Sequence, residues 1–157
     1  MVNEGDPVPD VKLEAMDGRA ISPADFGGNK LILYFYPKDD TSGCTKEAIG
    51  FSEKKPEFDA LQTLIVGISP DDERQHDKFK EKYGLTITLA ADTEKAAAEA
   101  YGVWIEKSMY GRKYMGVDRS TFLVDRNGAI AKVWRNVKVP GHVEEVLEAA
   151  KEMGKRG

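Results

Sequence analysis

A mixed α/β fold is predicted for this 157-residue chain by three features of its sequence. Two short, almost unbroken apolar runs, Leu31–Tyr36 and Leu64–Ile68, read as strands buried on both faces, and Pro37 and Ser69-Pro70 close them. Segments of helical period follow each run. Near the C-terminus, Ser120–Val124 and Ala129–Trp134 read as strands joined across Asp125-Arg126-Asn127-Gly128, which makes the sheet mixed rather than all parallel.

The elements follow in chain order. Residues 1–28 are rich in breakers (Pro7, Pro9, Asp17-Gly18, Gly27-Gly28), but Val11, Leu13 and Ala15 alternate with Lys12 and Glu14 as in a half-buried strand. After the first apolar run, the polar stretch Lys38–Gly43 turns the chain into a helix over about Cys44 to Lys55. A second helix is expected after Pro70, through about Lys82, with His76, Phe79 and Tyr83 on one face and Gly84 as its stop. Thr86–Ala90 is a short strand candidate, and an Ala-rich helix follows from Thr93 to about Tyr101. Asn127-Gly128 predicts a type I′ turn, and Val143, Val146, Leu147 and Ala150 form one stripe of a last helix over about Val143–Met153. No repeat, low-complexity tract or linker interrupts the chain, so residues 1–157 are expected to form a single domain. This element order is that of a thioredoxin-like fold, a mixed central sheet flanked by helices.

Composition narrows the function. The chain is mildly acidic, net -4, which argues against a whole-domain nucleic-acid footprint. No tract approaches the roughly 18 apolar residues of a membrane span, and the first residues lack the basic and apolar regions of a secretory signal. A cytoplasmic protein is expected. One cysteine, Cys44, excludes an intramolecular disulfide framework, and with only two histidines it excludes the common Cys/His zinc patterns. The reading calls for no metal and no cofactor.

Cys44 stands where a loop feeds a helix, so its sulfur is expected near unpaired N–H groups at the positive end of the helix dipole. Only a thiolate is a nucleophile, and a free thiol has a pKa of about 8.5. Bringing such a thiol to about 6 takes roughly 3.4 kcal/mol at 1.36 kcal/mol per unit. A helix terminus contributes about 0.3–1 kcal/mol, or about 2 when partly buried, so a cation is also required.

The segment Tyr34-Phe35-Tyr36-Pro37-Lys38-Asp39-Asp40-Thr41-Ser42-Gly43-Cys44-Thr45-Lys46-Glu47-Ala48 resembles the active-site segment of peroxiredoxins. The likeness is closest to the bacterioferritin comigratory protein or peroxiredoxin Q subfamily. Pro37, Thr41 and Cys44 match the family pattern of Pro, three residues, Thr, two residues, Cys. A second block, Tyr101–Lys107, Tyr110-Gly111 and Arg119–Asp125, is also similar, and it aligns the family's active-site arginine with Arg119. The resemblance spans roughly residues 5–150. It implies a thiol-dependent peroxidase acting on hydrogen peroxide and organic hydroperoxides, in which Cys44 attacks the peroxide and becomes a sulfenic acid. Arg119 would supply the missing cation, the Thr41 hydroxyl would bond thiolate or peroxide, and Pro37 would shape and shield the pocket. Glu47, one helical turn beyond Cys44, is read either as orienting Arg119 or as a capping or solvated glutamate.

The chain departs from the subfamily at Ile49, where many members carry a resolving cysteine, and it has none over Ala96–Ala100, where others place it. A one-cysteine cycle is therefore expected, with thioredoxin, glutaredoxin/glutathione or a small thiol as external reductant. Ser42 stands where proline is common. A monomer is expected, with neither nucleic-acid nor membrane partner. The residues admit two other readings: a redox-responsive binding or holdase role on the same fold, and a dithiol oxidoreductase, which Glu47 in place of a second cysteine nearly excludes. The remaining features read blandly. Lys107–Arg119 is taken as a solvated loop in preference to a docking surface for an acidic partner. His76 is taken as a half-buried packing residue, His142 as surface, Trp104 and Trp134 as packing aromatics, and Asp39 and Asp40 as turn residues.

Overall fold

The apolar run at Lys30–Phe35 (β3) forms the centre of the sheet, and all six of its residues are buried. The computed structural model describes residues 2–15 and 20–155; the Asp17-Gly18 breaker lies outside them. Strands β1 (Leu13–Ala15), β2 (Ala20–Ile21), β3, β4 (Thr63–Ser69), β5 (Thr88–Ala91), β8 (Ser120–Val124) and β9 (Ile130–Trp134) make one sheet in the order β2-β1-β5-β4-β3-β8-β9. β4 runs parallel to β3 and β5, whereas β8 is antiparallel to β3 and β9, so the sheet is mixed as predicted. Strands β6 (Trp104–Met109) and β7 (Arg112–Val117) form a separate two-stranded ribbon. The helices are α1 (Ser42–Ala60), α2 (Glu73–Tyr83), α3 (Ala96–Ala100) and α4 (His142–Lys155), with one 3-10 turn at Pro23–Phe26.

Strand alternation sorts β3 into two cores. Ile32, Tyr34 and Tyr36 pack with Cys44, Ala48, Phe51 and Phe58 of α1, Phe79 of α2 and the Val143–Ala150 stripe of α4. Leu31, Leu33 and Phe35 pack on the other face with Ala97 and Ala98 of α3, Tyr101 and the N-terminal segment. Helices α1, α2 and α4 thus lie on one side of the sheet and α3 on the other.

Three local expectations differ from the structure. Helix α1 continues past Lys55 through Pro56 to Ala60. A proline inside a helix leaves the carbonyl four residues back without its donor, and here the Ser52 carbonyl accepts from Thr86 Oγ1 at 3.4 Å while Ser52 Oγ accepts from the Thr86 N–H at 3.1 Å. The Asp125–Gly128 turn is not type I′, since Gly128 has positive φ (84°) and Asn127 does not. Gly128 N–H donates to the Asp125 carbonyl, and the Asp125 carboxylate accepts from the Asn127 and Ala129 N–H groups, a side-chain-bonded turn that a dipeptide rule misses. The type I′ geometry occurs instead at Tyr110-Gly111, φ 52° and 78°, which folds the supposed loop into the β6–β7 ribbon. Gly84 ends α2 in the left-handed region as expected, and Asp72 starts it with a capping box to Gln75.

Gly67 has a packing requirement. It pairs with Tyr34 across β3 and β4, and a β-carbon there would lie 2.6 Å from the Tyr34 hydroxyl. Gly67→Ala is expected to lower stability by about 1–3 kcal/mol, the usual cost of overpacking. Urea unfolding checks this; an unchanged midpoint would show that the Tyr34 ring yields freely.

Candidate active site

Cys44 lies in the first turn of α1 and is 1% exposed. The helix starts there because β3 ends at Phe35 and the chain must reverse over the polar residues 37–41 to return along the sheet. Thr41 is the N-cap residue, in extended conformation, but its side chain makes no cap hydrogen bond. Its hydroxyl donates to the Lys38 carbonyl at 2.8 Å. The first N–H groups of a helix have no intrahelical acceptor, so they remain available at the end where Cys44 sits. Pro37, half-buried, begins the loop beside Tyr36.

Arg119 comes from the other side of the central strand pair. β8 runs antiparallel to β3 with Ser120 opposite Phe35, so the residue just before β8 lies at the end of β3 from which the Cys44 loop departs. Its Nη2 donates to Cys44 Sγ at 3.1 Å and its Nη1 to Glu47 Oε1 at 2.9 Å. The guanidinium is held above its usual pKa. Burial opposes the charge, but the neighbouring Cys44 and Glu47 outweigh it. Glu47 is fully buried, and its Oε2 has no hydrogen-bond partner among the described residues. Burial pushes its carboxyl up to about 7 despite the opposing pull of Arg119. The orienting role weighed for Glu47 thus has a geometric basis, and the capping and solvated alternatives do not. The sequence holds no second cysteine. Ile49 is partly buried and packs against the core, and α3 places Ala97 and Ala98 in the opposite core.

The residues of the predicted set therefore divide. Cys44 and Arg119 are in direct contact, Thr41 and Pro37 lie on the loop that leads into Cys44, and Glu47 joins as a carboxyl group bound to the arginine. A cleft of about 470 Å³ opens beside Gly43, lined also by Ser42, Lys46, Val139 and Val143. Gly43 is close-packed, since a β-carbon on it would lie 3.3 Å from Arg119 Nη2.

Comparison with known proteins shows the family. Residues 4–133 match the AhpC/TSA family. The chain is 44% identical to Peroxiredoxin Bcp of Bacillus subtilis over 97% of each chain. The chain belongs to the peroxiredoxins of the AhpC/TSA family. Among solved structures, Xanthomonas campestris Peroxiredoxin Q superposes with a TM-score of 0.90 at 38% identity, covering 98% of both chains. The bacterioferritin comigratory protein of the same organism, solved in trapped intermediate and ligand complexes to study its alkyl peroxide reduction, gives 0.90 at 37% identity, again over 98% of both chains. These neighbours are thioredoxin-fold proteins, as the element order predicted. The protein is a peroxidase of the oxidoreductase class, with a peroxide as substrate and a thiol as reductant.

In this peroxiredoxin the loop that carries Pro37 and Thr41 is tied down by groups that sequence reasoning undervalued. Asp39 is buried rather than a free turn residue: it accepts from the Tyr36 hydroxyl at 2.5 Å, and its N–H donates to Asp71 at 2.8 Å. His76 is fully buried, with Nδ1 2.6 Å from Asp39 and Nε2 3.0 Å from the Ala90 carbonyl. A carbonyl only accepts, so in the bond to Ala90 the donor is Nε2. Asp40, at positive φ (59°), bonds Lys82 at 2.8 Å and Tyr83 at 2.5 Å on α2. The signal was present in part: the sequence put His76 on the apolar face of α2, but the matching acid is 37 residues away.

His142 is a correction. It was expected at the surface, but it is 3% exposed and shares a 2.8 Å hydrogen bond with Thr121. It packs edge-on against Phe51 and Trp134. Burial, with a smaller push from Arg119, lowers it to about 4, so it is neutral near pH 7. Among the described residues no helix is long and apolar enough to cross a membrane, and no group of three or more His, Cys, Asp or Glu is placed to hold a metal ion.

The raised carboxyl of Glu47 has a signed consequence. Its folded pKa, about 7, exceeds its ordinary value of 4.5, so between them the native state binds more protons than the unfolded chain. Glu47's contribution to stability therefore falls as pH rises from about 4.5 to about 7 and is level above. Glu47→Gln keeps an oxygen for Arg119 but cannot titrate. Chemical denaturation across this range is expected to show a flatter pH dependence in the variant, and an identical slope would count against the assignment.

Proposed function

We propose that Cys44 is the peroxidatic thiol of a one-cysteine peroxidase cycle, with Arg119, Thr41 and Pro37 completing its site. The observation that carries the reading is the 3.1 Å donation from Arg119 Nη2 to Cys44 Sγ, in a chain with no other cysteine. The Cys44 thiolate attacks the terminal oxygen of the peroxide in line with the O–O bond. The S–O bond forms as the O–O bond breaks, the hydroperoxide proton stays on the oxygen now bound to sulfur, and the leaving oxygen takes a proton from solvent to depart as water or an alcohol. Cys44 is left as sulfenic acid. Arg119 has donors for both the sulfur and the charge that develops on the peroxide oxygens, the preorganised arrangement that favours such a displacement. Thr41 keeps its hydroxyl oxygen as an acceptor while donating to Lys38, so it can accept a hydrogen bond from the peroxide O–H. The cleft beside Gly43, with Val139 and Val143 on its wall, has room for the organic part of a hydroperoxide.

The sulfenic acid is then reduced from outside. A first thiol condenses with it to give a mixed disulfide and water, and a second thiol releases Cys44 and leaves as the disulfide. Thioredoxin, glutaredoxin with glutathione, or another small thiol would serve, and the protein acts as a cytoplasmic monomer.

Peroxide consumption with dithiothreitol tests the reading. Cys44→Ser is expected to abolish it, and Arg119→Lys to lower kcat/KM by about 100-fold or more, the range seen for loss of one preorganised donor. Equal rates for wild type and Cys44→Ser would overturn the proposal. After one equivalent of peroxide without thiol, dimedone is expected to label Cys44, with no intramolecular disulfide found by mass spectrometry.

A further inference from the structure

The exposed large hydrophobic side chains of the described residues all lie on one element: Met109, Tyr110, Tyr114 and Met115, on the β6–β7 ribbon, at 57, 98, 44 and 50% exposure. Side chains directly opposite each other in an antiparallel pair share a face. Lys107 pairs with Tyr114 and Met109 with Arg112, so these four stand together on one face, and the same face continues to Ile105 and Gly116. Glu106, Met115, Ser108 and Lys113 take the other face, where Lys113 lies 3.7 Å from Glu106.

The first of these faces is joined to the active site. β7 ends two residues before Arg119, and the Lys107 stem lies close over Gly116, where a β-carbon would meet its Cδ at 3.3 Å. The Lys107 ammonium is partly buried within electrostatic reach of Asp118, Arg119 and Cys44. An apolar and cationic strip therefore runs from the rim of the thiol out to the hairpin tip.

We propose that this ribbon face is the docking surface for a protein thiol reductant whose reactive sulfur is surrounded by acidic and apolar residues. The proposal rests on the external-thiol cycle described above and names the partner it requires. Length selects a protein over a small thiol. Six residue pairs at about 3.3 Å each extend the ribbon over about 20 Å, more than a tripeptide covers while its sulfur reaches Cys44. Charge selects an acidic one. The chain carries net -4, so an acidic partner is repelled by most of its surface and drawn to the strip that presents Lys107 and Arg112. Tyr114 and Met109 supply the exposed aromatic and flexible apolar anchors typical of interface cores.

The test compares reductants on the intact protein. Arg112→Glu and the double variant Met109→Ser/Tyr114→Ser are assayed with dithiothreitol, and with thioredoxin recycled by its reductase and glutaredoxin recycled by glutathione. Dithiothreitol turnover is expected to stay within about two-fold of wild type, which also shows that the variants fold. The KM for at least one protein reductant is expected to rise about ten-fold or more, and in wild type that KM should rise with salt, less so in Arg112→Glu. Unchanged KM values for both protein reductants, or no turnover by either in wild type, overturn the proposal. So does a ribbon-dependent dimer in sedimentation analysis with reductant KM unaltered, which would assign the face to a second copy of the chain. Loss of dithiothreitol turnover in wild type would refute the peroxidase cycle itself, a separate outcome.

Discussion

One guanidinium serves two buried acids. Arg119 donates to Cys44 Sγ through one nitrogen and to Glu47 Oε1 through the other, while its own side chain is only 17% exposed and that of Glu47 is wholly buried. Arginine does not give up its proton in proteins, so the cation is permanent and the two acids must share it. Ionising both would bury two negative charges on one positive charge. With Glu47 protonated, the cation is left to the thiolate; with Glu47 ionised, it is divided. Two ends of one strand pair meet here, because α1 holds Cys44 and Glu47 one turn apart and β8 delivers Arg119 opposite the end of β3.

The magnitudes explain why this contact outranks the helix terminus. A thiolate 3.1 Å from a guanidinium gains about 5 kcal/mol at an effective dielectric of 20, before the cost of desolvating both groups and before Glu47 takes its share. The helix dipole adds about 1–2 kcal/mol at best. The remaining structure fixes geometry. Tyr34 stacks under the site on Phe51 and is seated over Gly67, and the Asp39–His76 pair pins the loop through α2 to the Ala90 carbonyl of β5. These groups leave the net charge at the thiol to Arg119 and Glu47 and determine where it sits.

Legibility in the sequence followed the range of each interaction. The central strands, the Gly84 stop and the loop-to-helix position of Cys44 were readable because each rests on neighbouring residues: an apolar run, a proline, a positive-φ glycine. Arg119 was not readable that way, since it meets Cys44 across 75 residues through the β3–β8 register, and only resemblance to a family singled it out. His142 failed for the same reason. Its burial depends on Thr121, Trp134 and Phe51, three residues from three other elements. The ribbon was missed because Lys107, Glu106, Arg112 and Lys113 break the apolar alternation of a strand; both faces are largely exposed, so neither has the hydrophobic period that reveals one.

The single cysteine gives Ile49 and α3 their meaning. A chain that closes an internal disulfide needs a second sulfur and a way to bring it to the first. Here the side chain at 49 adds to the core beneath α1, and Ala97 and Ala98 pack α3 flat against the opposite core. Apolar packing stands at both places, and that of Ile49 anchors the helix carrying Cys44. In the proposed cycle the second half depends on access, because a sulfur 1% exposed is reached only from its rim, and a bulky protein thiol gains from a surface that guides it there. A surface for that approach must adjoin the site without covering it, and the proposed β6–β7 ribbon, whose second strand leads into Arg119, meets that requirement.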